Sequence, residues 1–519
     1  SEDIYESRLD KGLFTTEPYS YLLIEMAHAD RERARELLEM AKKYSPDLPA
    51  VYFALGRESL SLSPSGLFQS FDYFRQGMKA YGRNFWWEFN LTGLVYISLI
   101  ISFALSLLVI IIIRFPLETG LLLHDSSEDR KKLFLLLIPL LLSLFGPIAF
   151  IAGMFFIIGF YFKKENKALV YVSLAFFLAS PVLQNGMNIF LSAPPELRAI
   201  TDVNEGRENR YALRILKGKG DFASLFSYAL AEKREGNYQG AIDDYKRLIH
   251  YSSPSVPSIY VNLGNTYFAA GDFDAALDAY RKSVGMAHSP LTFYNLSQVF
   301  RVMLDFEKGN EYFLEAAKLS PESVSRYASL AGMSPNRFVV DETLPPSALW
   351  EYALNMESRF LFPMPFVVLI IAVLLIPGFY FVDREMKYRA HRCRRCGEVF
   401  CMKCSRTLAW GEMCSLCYQS FIKLDEVDSK ERVTRLLSIY QTQTRRRKET
   451  KLLSYLIPGA GQIYSGKILL GFLMVWPFLF SVTLLLMNNL PIMGNYPFTH
   501  GWMLPLSVVL IGIAYTISA

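Results

Sequence analysis

The sequence predicts an all-α chain: a polytopic helical membrane protein carrying a helical-repeat solenoid and a small zinc-binding module. Three observations predict it. Hydrophobic residues make up 52% of the 519 and mean hydropathy is +0.20, with the excess gathered into unbroken apolar runs. A glycine–polar–aromatic motif recurs through the middle of the chain. All six cysteines fall between Cys393 and Cys417, as three C-x-x-C pairs. A chain of this length holds several domains. The expected order is a helical domain (1–90), about three spans (91–192), the solenoid (193–345), and an amphipathic helix with a further span (346–383). The cysteine module (384–422), a basic helical linker (423–451) and C-terminal spans (452–519) follow.

Residues 17–81 are helical by pattern and divide at YSPDLP. Ala34, Leu38 and Ala41 lead to Pro46, and Tyr52, Leu55 and Gly56 open the next helix. This resembles a degenerate tetratricopeptide (TPR) pair, whose small residues let antiparallel helices pack closely; the alternative is an unrelated helical hairpin. Trp86 and Trp87 precede the run 94–113 like an interfacial aromatic belt, and that run has 20 residues without a charge, enough to span a bilayer. The apolar stretch 133–162, broken by Pro139 and Gly146-Pro147, would be about 45 Å long as one helix, against a core of about 30 Å. It is a kinked span or a re-entrant pair, and the single span is favoured. Lys163, Lys164 and Lys167 follow, then a span over about 169–191.

From 197 to 330 the composition turns soluble. Gly236-Asn-Tyr238-x-x-Ala241 recurs as Gly271-Asp-Phe273-x-x-Ala276, 35 residues on, and more loosely as Leu304-Asp-Phe306-x-x-Gly309, 33 further. Asn262-Leu263-Gly264 and Asn295-Leu296-Ser297 are also 33 apart, and Ala316 and Pro321 fit the end of a repeat. The rhythm resembles the TPR, with three full repeats over about 222–321 and a partial one near Arg207–Leu216. Such repeats stack into a solenoid whose inner face receives a peptide or helix. Tyr228, Leu263, Tyr267, Tyr280 and Phe313 are then packing residues. Asn262, Asn265 and Asn295, on the first helix of their repeats, are the candidate partner contacts, or else simple helix caps.

Residues 345–360 form an amphipathic helix ahead of the span 361–382. Six Lys/Arg follow between Arg384 and Arg395, and 384–451 carries 17 Lys/Arg against 8 Asp/Glu, in a chain whose net charge is only +5. Such basic surplus beside a span marks a cytoplasmic flank. The run Arg445-Arg446-Arg447-Lys448 suits anionic lipid headgroups or orientation; without interleaved aromatics it does not suit nucleic acid. At the C-terminus, spans are expected at about 468–487 and 503–519. Between them and the linker, Gly461, Gly466 and Lys467 fit G-x-x-x-x-G-K, but Ile468 stands where a phosphate loop needs Ser/Thr. PGAGQIYSGK resembles instead the turn of small bacterial two-helix membrane families, where glycines let helices approach.

Paired C-x-x-C cysteines direct two sulfurs at one tetrahedral ion, and the first and third pairs are 17 residues apart, a spacing usual for four-cysteine zinc sites. Cys393, Cys396, Cys414, Cys417, Cys401 and Cys404 are the candidate ligands. Disulfides or a redox dithiol are the competing reading, though C-x-x-C makes a strained staple. RAHRCRRCGEVFCMKCS…CSLCY is similar to the C-terminal part of a FYVE finger over Arg389–Tyr418. That resemblance implies one zinc on Cys393, Cys396, Cys414 and Cys417, with Cys401/Cys404 lacking their partner pair. The family's first cysteine pair and its W-x-x-D element have no counterpart here. Of its phosphoinositide-binding basic motif, Arg389, His391 and Arg394 match, while Arg392 replaces the second histidine. His391 is either a ligand of a second zinc or a solvated basic residue.

Zinc thiolates belong in a reducing compartment, so thiol chemistry and charge both predict a cytoplasmic cysteine module. The repeats over 193–345 are then extracytoplasmic, across what would be a bacterial inner membrane. The N-terminal domain is cytoplasmic if 133–162 crosses once and extracytoplasmic if it is re-entrant. The chain begins at Ser1 without methionine, which allows for a removed leader. Six histidines, no H-E-x-x-H and no G-x-S-x-G give no catalytic constellation. The expected function is a scaffold, not an enzyme: repeats bind a protein or peptide, one structural zinc stiffens the module, and small-molecule substrates are not expected. The alternative is a membrane enzyme or transporter, with Asn185 and Asn188 as its polar pair. A RING-like ubiquitin ligase would need the missing cysteines and a eukaryotic host.

Overall fold

The computed structural model describes residues 15–128, 137–192, 194–207, 209–251, 256–331, 339–355, 365–386, 389–401, 413–421, 429–488 and 502–518. Among them the regular structure is helical apart from one two-stranded hairpin. Two compact units divide the chain: Ser1–Leu91 with Ser192–Glu357, and Thr92–Leu191 with Ser358–Ala519.

The first unit opens with α1 (Glu17–Ala29), α2 (Ala34–Tyr44), α3 (Pro49–Glu58) and α4 (Pro64–Tyr81). Pro49 and Pro64 sit in first turns, where a missing N–H costs nothing, and the Ser63 hydroxyl caps α4 by accepting from the Gly66 N–H at 3.1 Å. α5 (Phe85–Glu128) has 44 residues, about 66 Å at 1.5 Å per residue, and the boundary between the units falls within it.

The stretch expected as one kinked span is not one helix in its described part. α6 (Leu137–Leu142) and α7 (Pro147–Ile158) turn at Gly146, whose φ is +101°. A Cβ placed on Gly153 of α7 would stand 2.8 Å from the Pro139 Cα of α6. In a continuous helix those residues would lie about 21 Å apart, so the pair is a folded-back hairpin. α8 (Ala168–Ser192) follows.

The chain then returns to the first unit with α9 (Pro195–Asn204), α10 (Arg210–Leu216), α11 (Phe222–Glu235), α12 (Tyr238–Tyr251), α13 (Pro257–Ala269) and α14 (Phe273–Met286). α15 (Pro290–Val302), α16 (Phe306–Leu319), α17 (Pro321–Ala331) and α18 (Pro346–Asn355) complete it. The repeated sequence motif is a helix stop and a helix start. Gly236 and Gly271 take left-handed backbone after α11 and α13 (φ +88° and +83°), and Asp272 caps α14 by accepting from the Ala275 N–H at 3.1 Å. Asp305 caps α16 in the same way, but there the left-handed position holds Leu304, at φ +63°. Within a repeat, a Cβ on Gly264 would lie 2.7 Å from the ring of Tyr280, so only glycine lets that ring sit against α13. Arg207 joins the two stretches of the unit. Its guanidinium is buried among Glu17 (2.8 Å), Asp202 (3.4 Å) and Glu205, and Glu17 also accepts from Asn84 at 2.6 Å.

The second unit continues with α19 (Pro365–Glu385), β1 (His391–Arg392), β2 (Val399–Phe400), α20 (Ser415–Phe421), α21 (Ser429–Leu456), α22 (Ala460–Tyr464), α23 (Ile468–Asn488) and α24 (Met503–Ser518). Four helices are long and apolar enough to cross a membrane by length and composition: α5, α8, α19 and α23. They share one core with the hairpin, drawn from Ile110, Phe155, Phe177, Ala372, Phe379 and Phe472 among others, with Phe160 stacked on Phe379 at 5.0 Å. Polar groups close the ends of these helices. Asn166, ahead of α8, donates to Gly466 O (3.0 Å) and accepts from the Leu469 N–H of α23 (3.1 Å), while Lys167 pairs with Asp383 of α19 at 2.6 Å.

Candidate metal centre and repeat groove

β1 and β2 form a short antiparallel hairpin, pairing His391 with Phe400 and Arg392 with Val399. Its turn is C-R-R-C-G: Gly397 takes φ +84°, donating to Cys393 O at 3.0 Å, while the Cys393 N–H donates to Glu398 O at 2.8 Å. Those bonds hold Cys393 and Cys396 on one side of the turn. Cys414 and Cys417 come from the start of α20, one helical turn apart. The four sulfurs lie within 4.8 Å of one another, the Cys396–Cys414 pair at 3.6 Å. Tetrahedral zinc with Zn–S bonds of about 2.3 Å needs sulfurs about 3.8 Å apart, so the donor set fits that ion. All four are thiols and not disulfides. It is the one such cluster among the described residues.

Burial raises the thiols of Cys396, to about 12, and of Cys417. At Cys393 burial also acts upward, but main-chain donors from Cys414, Cys396 and Arg395 outweigh it and bring the thiol down to about 7. The Cys414 N–H lies 3.5 Å from that sulfur. The site thus holds one sulfur readily ionised by the backbone and others that need a cation before they ionise. Four protein sulfurs leave no open position, so a zinc here would cross-link the hairpin to α20 and activate no water.

The centre is packed from outside as well. Ile439 of α21 joins the buried cluster of Cys393, Phe400, Cys414 and Cys417, and a Cβ on Gly397 would meet the Arg446 guanidinium at 2.5 Å. Arg392 donates to Leu117 O at 2.7 Å and Gly397 O at 3.1 Å, and the Ala390 N–H donates to Asp125 at 3.0 Å. Arg389 donates to Phe160 O at 2.5 Å and pairs with Asp383 at 2.6 Å, so this basic side chain ahead of the hairpin is spent on helix ends. His391 lies by the Phe400 ring, 6.2 Å between centroids. Cys401 is buried but stands apart from the four-sulfur cluster, and Cys404 lies outside the described residues. Beside the hairpin is a cavity of about 390 Å³ whose lining includes Arg114, Lys163, Arg392, Arg394 and Arg446, with Glu118 the acidic member.

The candidate partner contacts occupy a different kind of site. Asn262, Asn265 and Asn295 are fully buried, and residues 339–345 lie over them as a non-helical strap. Asn295 donates to Val340 O (2.8 Å) and accepts from the Val340 N–H (2.9 Å). Asn262 does the same for Glu342, at 2.9 Å each way, and Asn204 of α9 accepts from the Leu344 N–H at 2.7 Å. Alternate residues of the strap are therefore read by α15, α13 and α9 in turn, with the two-residue period of an extended chain. Asn265 donates to Val340 O (2.8 Å) and to the Asp341 carboxylate (3.0 Å), and its own oxygen accepts from Tyr280 (2.5 Å) and Asn295 (2.9 Å). Asp341 also meets Lys233 at 2.6 Å and Arg234 at 3.3 Å, all three side chains at most 5% exposed. The sequence reading missed Lys233, Arg234, Asn204 and the strap. No local pattern marks VVDETL.

Residues 257–288, which are α13 and α14, match the tetratricopeptide repeat family. No curated protein matches the chain. The chain therefore contains a TPR repeat, a unit that generally mediates contacts between proteins, together with a cysteine cluster able to hold a metal ion.

Proposed function

We propose that the protein is a membrane-embedded scaffold and not an enzyme. Its TPR groove receives an extended protein segment on the extracytoplasmic side, and its cysteine module, braced by one structural zinc, stands on the cytoplasmic side. The observation that carries this reading is the asparagine ladder. Asn262 and Asn295 each offer one donor and one acceptor to a main chain, which is how a protein recognises an extended peptide without regard to most side chains. The membrane part draws on the four apolar helices, and its sidedness on the basic surplus of 384–451. Because residues 17–81 share a unit with the repeats, they belong on the repeat side in this reading. The basic cavity beside the hairpin suits the anionic headgroups of the cytoplasmic leaflet. The FYVE-like reading of the hairpin is kept in its truncated form, with one zinc. The membrane is a bacterial inner membrane, and the scaffold serves an assembly, secretion or signalling complex.

In-cell cross-linking of the full chain, with and without Asn262→Ala/Asn295→Ala, tests the scaffold. Partners should be lost from the double variant while zinc content is kept. An unchanged set of cross-linked partners removes the reading. The second reading, a transporter or membrane enzyme, is favoured by one observation: the Asn185 Oδ1 in α8 is buried without a hydrogen-bond partner. A polar atom in that state within a span marks a candidate site. Asn185→Leu should leave cross-linking untouched under the scaffold reading.

A further inference from the structure

The groove is already filled, and the manner of its filling specifies what else fits. Its contacts to Val340, Glu342 and Leu344 are made to main-chain atoms. Any extended chain could present those atoms. One side chain is read by charge: Asp341, held by Lys233, Arg234 and Asn265. Val340 is buried at 2% exposure, so the residue before the carboxylate must be apolar.

Lys233, Arg234, Asn262, Asn265 and Asn295 are buried with the strap in place, and each bonds to it. The strap and an incoming segment need the same donors and acceptors, so the groove holds one or the other and not both. We propose that residues 339–344 are an occupant held in cis, and that a partner protein takes the groove by exchange, with an extended segment carrying an aliphatic residue followed by Asp or Glu. This rests on the scaffold reading of the groove and adds its specificity and its gate. A tethered occupant acts at roughly millimolar effective concentration, so the strap weakens any external segment by about 10²–10⁴-fold relative to an open groove. Lys233 and Arg234 select the carboxylate, while Asn204, Asn262 and Asn295 position the main chain.

The test uses the full chain in detergent and a labelled synthetic peptide of residues 338–345. In the Asp341→Lys chain, where the strap is repelled by Lys233 and Arg234, the peptide should bind at least about tenfold more tightly than to wild type. A peptide carrying Asp341→Asn should lose that binding. In wild type, millimolar unlabelled peptide should speed hydrogen–deuterium exchange of the Val340, Glu342 and Leu344 amides. If the Asp341→Lys chain does not fold, the wild-type exchange experiment decides alone. Exchange unaltered by peptide overturns the proposal, as does equal binding of the Asp and Asn peptides. A concentration-dependent dimer with swapped straps overturns the assignment to a different partner protein. Failure here, with cross-linked partners still dependent on Asn262 and Asn295, leaves the scaffold standing; partners independent of them end both.

Discussion

The repeat groove and the cysteine centre both bury polar atoms against apolar neighbours, and they settle the cost differently. In the groove every asparagine and both cations are met by the chain itself, through a strap 45 to 140 residues away in sequence. At the centre four sulfurs face one another, and burial holds the Cys396 and Cys417 thiols in their neutral form. A site closed by its own chain is stable without help and must be opened to work; a site closed by an ion depends on that ion.

The sharpest way to break this contrast is to remove the metal. Structural zinc contributes an apparent binding free energy of about 10 kcal/mol or more in small modules. Elemental analysis should find one zinc per chain, lost on chelation or with Cys414→Ser, and residues 389–421 should then become protease-sensitive. Cys401→Ser should keep one zinc. Two zincs per chain would show that Cys401 and Cys404 hold a second site.

Asp341→Ala addresses the other side. It leaves Lys233 and Arg234 buried without their carboxylate, and a buried pair broken from one side costs about 3–5 kcal/mol. Thermal unfolding of the full chain should report the loss with zinc content unchanged. A loss well under 1 kcal/mol would mean that the strap does not close the groove.

A proton does at Glu205 what a bound cation would do at the cysteines. Burial raises this carboxyl to about 8, against the attraction of Arg207, which also faces Glu17 and Asp202. The folded protein therefore binds the proton more tightly than the unfolded chain, whose value is near 4.5. The stabilisation is complete below that lower value and falls away as pH rises to about 8, by at most about 1.4 kcal/mol per pH unit. Unfolding temperatures between pH 5 and 8 should decline more steeply in wild type than in Glu205→Gln.

The smallest effect is expected at Leu304. Its left-handed backbone costs a leucine about 1–2 kcal/mol, which glycine avoids at some expense in unfolded-state entropy. Leu304→Gly should stabilise the repeats by about 1 kcal/mol in denaturant titration, with neither zinc content nor strap exchange changed.

Much of this architecture is written locally. Gly236, Gly271 and their capping partners mark where helices stop and start, because left-handed turns and side-chain caps involve neighbours in sequence. Apolar runs show α5, α8, α19 and α23 because a bilayer core demands length and composition alone. The spacing of Cys393, Cys396, Cys414 and Cys417 indicates one ion because turn geometry carries each pair. The hairpin of α6 and α7 was open to two readings, since Gly146-Pro147 permits either a kink or a reversal. Packing of Gly153 on Pro139 decided it.

Tertiary structure alone decided what meets the buried asparagines. Asn262, Asn265 and Asn295 can be picked out from the repeat register, yet their partners at Val340, Asp341 and Glu342 follow no period and carry no motif. The Arg207 cluster is of the same kind, bringing Glu17 and Asn84 to residues near 205. The sequence by itself determined helices, repeats, candidate spans and the cysteine set, because propensity, capping and hydropathy act over a few residues. Which distant groups pair in the interior was decided only when those helices packed, because burial forces each polar atom to a partner wherever the fold brings one within reach.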